Sequence, residues 1–257
     1  MARDVTACLT YFKSLTLANL AASLWSLHQQ DLSRVKEIVI VDNDTVDSGH
    51  EVRITADAFA FPVPVRVLSF KHGDPSKTHA WSTNRAVQEV TTPLVFFTRA
   101  DYLLDCEAVS NLTDAVQTEN QFVVGGYYDV QADVYRCEQT DWRLRGPSVL
   151  QPLGRSYDHV LIDSGVWLTS KKLFNSVGGL DESLTAWGHA QTHFQHKLFL
   201  AGAEFVRVPT IVFYHVAHAY VAPRDHVEAS RQLKNLGVTL GTMWARYTGP
   251  DNPYHGP

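Results

Sequence analysis

The chain has 257 residues, 45% of them hydrophobic and 19% charged, enough apolar material for one large core. Its formal net charge of -5 gives no general electrostatic reason to bind nucleic acid or an anionic membrane. No run of about 18 apolar residues is present to span a bilayer and no apolar signal segment precedes the first strand, so a soluble, cytoplasmic protein is expected. Three widely spaced cysteines, Cys8, Cys106 and Cys137, show no metal-binding spacing and read as reduced thiols.

Residues 5–10 form a short apolar run suited to a buried strand. Leu17, Leu20, Ala21, Leu24 and Leu27 follow at helical spacing, with Ser14 or Thr16 as the N-cap. Residues 37–42 are apolar and β-branched and end abruptly in the polar turn Asn43-Asp44-Thr45, the pattern of a buried parallel strand. Residues 63–70 supply another strand and 78–90 another helix, and the strand at 94–97 runs into Thr98-Arg99-Ala100-Asp101. This βαβα order predicts an α/β fold with a parallel, doubly wound sheet and helices on both faces. Ligands of such sheets bind outside the carboxyl ends of the strands, where Asp42 and Asp101 fall. The plainer role for either carboxylate is to cap the turn that follows it.

The second half is less regular. Residues 122–129 read as a strand, and the polar stretch that reaches Tyr157 predicts a functional loop or lid. A strand at 165–169, a short helix at 171–177 closed by Gly178-Gly179, a helix at 192–200 and a strand at 205–214 follow. A last helix begins over 227–236, and residues 247–257, rich in Pro and Gly, form a loosely held tail.

In this order the segments resemble the family-two glycosyltransferases and their GT-A relatives, over roughly residues 5–220. Residues 38–45 are similar to the family's IVVDNGST strand and turn. Residues 77–86 resemble the helix in which a basic residue and an Asn precede the metal strand, and residues 96–101 stand where the family has FLDAD. Residues 177–182 resemble VGGFDE, and Trp187-Gly188 with a helix ending at Ala201-Gly202 are in register with GxEDxDLxxRLxxAG. Tyr214-His215-Val216-Ala217-His218 resembles the closing HxxH.

The resemblance implies a GT-A fold with a nucleotide-sugar-binding half over 1–110 and an acceptor and metal half over 111–246. It implies a UDP-sugar donor held by Thr10, Asp42, Lys77, Asn84, Arg99 and Asp101, and an acceptor held by Trp187, Gly188 and Gln191. Asp101 with His215, or with His218 as the alternative, would hold Mn2+ or Mg2+, which neutralises the departing diphosphate.

Two departures stand out. The family's DxD is Arg99-Ala100-Asp101, so a guanidinium able to grip a phosphate, or to pair with a surface carboxylate, replaces the first carboxylate. The family's Glu-Asp pair is Ala190-Gln191, and its later Asp is His193. Gln191 cannot accept a proton, so an inverting enzyme needs another base: His189 first, then His193, or Asp163. A retaining or inactive protein needs none.

A glycan or small molecule is the expected acceptor. The alternative is a modified base in phage DNA, met by Arg143, Arg145, Arg155, Lys171 and Lys172. A nucleotidyltransferase would carry a Gly-rich loop after the first strand, where this chain has Thr10-Tyr11-Phe12-Lys13, and a non-catalytic nucleotide-sugar-binding protein is the remaining reading.

Overall fold

The computed structural model describes residues 4–12, 15–132, 150–157, 165–184 and 189–216, together with Arg231 and Lys234, which are helical. The first half alternates as expected, with one unforeseen helix, α2: β1 (Val5–Phe12), α1 (Leu17–His28), β2 (Val35–Asn43), α2 (Gly49–Asp57), β3 (Val65–Phe70), α3 (His79–Gln88) and β4 (Leu94–Arg99). Strands β3, β2, β1 and β4 lie side by side and all run parallel. β1 explains the two-sided burial that a parallel sheet requires. Its Val5, Ala7, Leu9 and Tyr11 face the core shared with α1, and Cys8 faces the core shared with α3. Thr10 pairs with Val41 on one side and Arg99 on the other, which aligns the carboxyl ends of β1, β2 and β4.

Side-chain geometry settles the cap of α1. Thr16 Oγ1 accepts from the Asn19 amide at 3.4 Å, and Asn19 Oδ1 accepts from the Thr16 amide at 3.1 Å. Helix α2 is absent from the periodicity because only Val52 and Ala56 are buried along it; Ser48 and Glu51, its capping box, were its readable signal.

The second half comprises β5 (Tyr102–Leu104), α4 (Ala108–Ala115), β6 (Gln121–Ala132), β7 (Leu150–Tyr157), β8 (Trp167–Ser170), α5 (Lys171–Ser176), α6 (His189–Leu200) and β9 (Glu204–Val216). The sheet runs on without a break in the order β3-β2-β1-β4-β8-β6-β9-β5, with β7 on β6. Here the pairing is mixed: β8 is antiparallel to β4 and β6, and β9 is parallel to β6 but antiparallel to β5. Part of the expected loop is therefore strand β7, while residues 133–149, 158–164 and the tail 247–257 lie outside the described residues. Trp167 anchors the second core, stacked on Phe97 at 4.8 Å between centroids and packed against Phe174 and Phe194.

Candidate active site

The chain turns sharply after β4. The Ala100 amide donates to the Thr10 carbonyl at 2.9 Å, and Ser23 Oγ on α1 donates to the carbonyls of Arg99 and Tyr102 at 3.2 and 2.8 Å. Strand β9 closes the turn from the far end of the sequence, pairing His215 with Tyr102, and the Val216 amide donates to the Asp101 carbonyl at 2.8 Å. Backbone hydrogen bonds thus bring together Asp101 and His215, two residues expected to converge.

Their side chains meet a third. Arg99 grips Asp101 with both arms, Nε to Oδ1 and Nη2 to Oδ2, each at 3.1 Å, and His215 Nε2 lies 3.1 Å from the same Oδ2. All three are buried, with 6%, 1% and 7% exposure for Arg99, Asp101 and His215. The Arg99 guanidinium also stands 5.0 Å from the centre of the Tyr102 ring, which in turn packs 5.0 Å from the His215 ring. Gly165 covers this group: a Cβ there would fall 2.9 Å from Arg99 Nε and 2.8 Å from Tyr102 Cζ. Only glycine admits so close an approach.

His79 was not among the expected site residues. It opens α3 at the same end of the sheet, directly after the N-cap Thr78. Its Nε2 is occluded and has no hydrogen-bond partner among the described residues. Burial, then the charge of Arg99, push its pKa down to about 4, and Asp101 opposes this only in part. The imidazole is neutral at physiological pH. Its signal in the sequence was its place in the first helical turn after a strand end. Thr10 Oγ1, fully buried, likewise has no partner among the described residues. The Lys77 ammonium sits 5.2 Å from the Trp81 ring centre.

Asp42 is fully buried and its oxygens are engaged by the protein itself. Oδ1 accepts from Thr45 N and Oγ1 at 3.3 and 2.6 Å. Oδ2 accepts from Ser69 Oγ and faces Lys71 Nζ at 2.9 Å. Instead of an open carboxylate at the strand end, there is one that organises the loop between β2 and α2. Asn84 is similarly committed: its amide donates to the Leu180 carbonyl at 2.9 Å and to Glu182 at 2.8 Å, and its Oδ1 accepts from the Leu180 amide at 2.9 Å. It ties α3 to the glycine turn rather than facing the strand ends.

Helix α6 ends one short turn before β9, and β9 climbs from Glu204 to His215, so the amino end of α6 lies at the Asp101 end of the sheet. His193 Nδ1 is 3.6 Å from Asp181 Oδ2, beyond hydrogen-bond reach. Burial first, then the Lys197 charge, lower the His193 pKa, with Asp181 opposing. Gln191 and Gln195, one turn apart, are fully buried, and none of their amide atoms has a hydrogen-bond partner among the described residues. His189 begins the helix; its side chain, Asp163, Trp187, Gly188 and His218 lie outside the described residues, as do Arg143, Arg145 and the side chain of Arg155. Lys171 and Lys172 bind the Val90 carbonyl at 2.5 Å and Glu119 at 2.8 Å.

The ligands expected for Mn2+ or Mg2+ come together, but onto each other and onto Arg99. Among the described residues no group of three or more His, Cys, Asp or Glu side chains is arranged to hold a metal ion. An ion on either Asp101 oxygen would stand beside the guanidinium. Two unit charges 4 Å apart repel by about 4 kcal/mol at an effective dielectric near 20, and a divalent ion doubles this. As arranged, these residues do not fit a divalent ion.

The mouse polypeptide N-acetylgalactosaminyltransferase 10 is 26% identical over 239 residues, which cover 83% of this chain and 38% of that protein. The N-acetylgalactosaminyltransferase 6 of Drosophila melanogaster is 29% identical over 72 residues, 28% of this chain and 10% of its own. The chain thus spans well under half the length of these relatives. Among solved structures, GalNAc-T7 with UDP, GalNAc and Mn2+ superposes over 90% of this chain and 47% of its own, with a TM-score of 0.63 at 11% identity. TarS of S. aureus superposes over 90% and 39%, with a TM-score of 0.60 at 15% identity. These likenesses establish the GT-A fold. Residues 7–178 match the profile of glycosyl transferase family 2, and the chain belongs to that family.

Proposed function

We propose that the chain transfers a sugar from a UDP-sugar to a hydroxyl group of a glycan or small-molecule acceptor. The observation that carries this reading is the alignment of Thr10, the Asp42 loop and the Arg99-Asp101-His215 cluster at the carboxyl ends of parallel strands, in a chain of this family. Thr10 and the loop that Asp42 holds face the nucleoside. Lys77, at the mouth of α3, and Arg99 face the diphosphate, whose negative charge grows as the sugar leaves.

The acceptor approaches the amino end of α6, where Trp187, Gly188 and Gln191 receive it. His189 takes the hydroxyl proton there, since a helix amino terminus disfavours imidazolium and keeps the ring a base. His193 is the second imidazole on that helix, one turn further in and held toward Asp181.

The test is a panel of UDP-sugars offered with an acceptor array, read by UDP release and mass spectrometry of the products. UDP released only with acceptor, and a hexose-sized mass gain on it, is the expected result. Pyrophosphate release would make the protein a nucleotidyltransferase instead. Within the active panel, His189→Ala cuts transfer by about 10² or more while UDP affinity holds. Retention of anomeric configuration in the product would remove His189 from that role.

A further inference from the structure

We infer that Arg99 is the resident cation of the diphosphate site, so that the chain binds its nucleotide donor through a buried guanidinium and without a divalent metal ion. The inference rests on the nucleotide-sugar reading above.

The argument begins with how firmly Arg99 is built in. Its guanidinium is gripped by the Asp101 carboxylate through two hydrogen bonds of 3.1 Å, lies over the Tyr102 ring, and leaves so little room at Gly165 that a Cβ there would fall 2.9 Å from Nε. Its own carbonyl is held by Ser23. An arginine with 6% exposure, set in a carboxylate fork at the end of a central strand, is not a surface side chain that has folded inward.

The second step is charge. Two carboxylates closed on a divalent ion carry no net formal charge, and one carboxylate closed on a guanidinium carries none either. The Arg99-Asp101 pair therefore offers a diphosphate the same net environment that a metal-loaded carboxylate pair would. The field is not flat, however. At His79, on the α3 side, the charge of Arg99 acts more strongly than that of Asp101. Thr10, whose hydroxyl is buried and has no partner among the described residues, is the register neighbour of Arg99.

The third step weighs the plain alternative, a stabilising ion pair. Buried pairs stabilise a fold poorly, because desolvation of both charges offsets their attraction. An apolar pair would serve the core as well. A costly pair at the carboxyl ends of the parallel strands is placed where charge has a use.

The experiment is UDP titration by calorimetry of the full chain, in excess EDTA and in excess Mn2+, with free Mn2+ followed by its paramagnetic resonance signal. The expected result is equal UDP affinity in both buffers and no loss of the Mn2+ signal on adding protein, with or without UDP. UDP binding that appears only with Mn2+, or a Mn2+ signal that protein and UDP together quench, overturns the inference and leaves the donor reading standing. Absence of UDP binding in both buffers overturns the donor reading, and the inference with it. Arg99→Asp is expected to make UDP binding depend on Mn2+, and Arg99→Lys to weaken metal-free binding about tenfold to a hundredfold by removing the fork but not the charge. Equal metal-free affinity in Arg99→Met, shown folded by its circular dichroism, would overturn it as well. Should the variants not fold, the comparison of buffers on the unaltered chain decides alone.

Discussion

Asp42 and Asp101 both stand at the ends of parallel strands, both are buried, and both face a cation, yet the two regions are put together differently. The partners of Asp42 are Thr45 in the loop after β2, Ser69 near the end of β3 and Lys71 just beyond it, and the Lys71 side chain is 40% exposed. Asp101 is gripped by Arg99, whose side chain is 7% exposed, and touched by His215 from a strand 114 positions on. The first carboxylate shapes one loop. The second joins the two halves of the sheet and keeps a charge in the dry interior. A salt bridge open to water contributes little, whereas breaking one sealed from it leaves an uncompensated ion.

The largest expected effect follows from that difference. Asp101→Asn leaves Arg99 buried with no counter-ion and lowers unfolding free energy by about 3–5 kcal/mol, measured by urea denaturation. The double change Arg99→Met with Asp101→Leu recovers most of that stability but loses metal-free UDP binding. A wild-type midpoint for Asp101→Asn would make the two regions alike and break the comparison.

Next comes the buried imidazole of His79, whose pKa is held down by burial first and by the charge of Arg99 second. The unfolded imidazole takes its proton near pH 6.5 and the folded one only near 4, so between these values the unfolded state binds more protons. Stability is complete above about 6.5 and falls as pH drops toward 4, by about 3 kcal/mol at most. His79→Gln is expected to flatten this part of the pH profile, and an unchanged slope would mean that another group titrates there.

Asp42→Ala sharpens the other side of the comparison. Losing the loop's organising carboxylate costs about 2 kcal/mol in stability and weakens UDP binding about tenfold, through the loop and not through a lost direct contact. A folded Asp42→Ala protein with unaltered UDP affinity by calorimetry would remove the loop from the donor site. The smallest effect belongs to Lys71→Met, at about 1 kcal/mol or less, because its ion pair is half open to solvent. A loss as large as that of Asp101→Asn would mean that exposure is the wrong measure of the difference.

The elements were readable wherever burial alone shaped them. The apolar runs of β1, β2 and β4 and the leucine spacing of α1 gave the parallel half, and the ordered landmarks placed Asp101 and His215 at one site. Helix α2 was hidden because it buries only Val52 and Ala56, and β5, though wholly buried, because three residues are too few to leave a period. Strand β7 lay in a stretch read from its polar composition as a loop.

Composition and periodicity by themselves determined the α/β class, the parallel first half and the strand ends at which Asp42 and Asp101 fall. Each of these depends on how a single residue partitions between water and core, and that preference is carried by the residue itself. Only the tertiary structure decided that Asp42 is closed off by Ser69 and Lys71, that Asn84 binds the glycine turn, and that Arg99 occupies the carboxylate expected to hold a metal. Hydrogen bonds and ion pairs need two groups at set distance and angle. The second group comes from elsewhere in the chain, or from a rotamer that neighbours such as Tyr102 and Gly165 select.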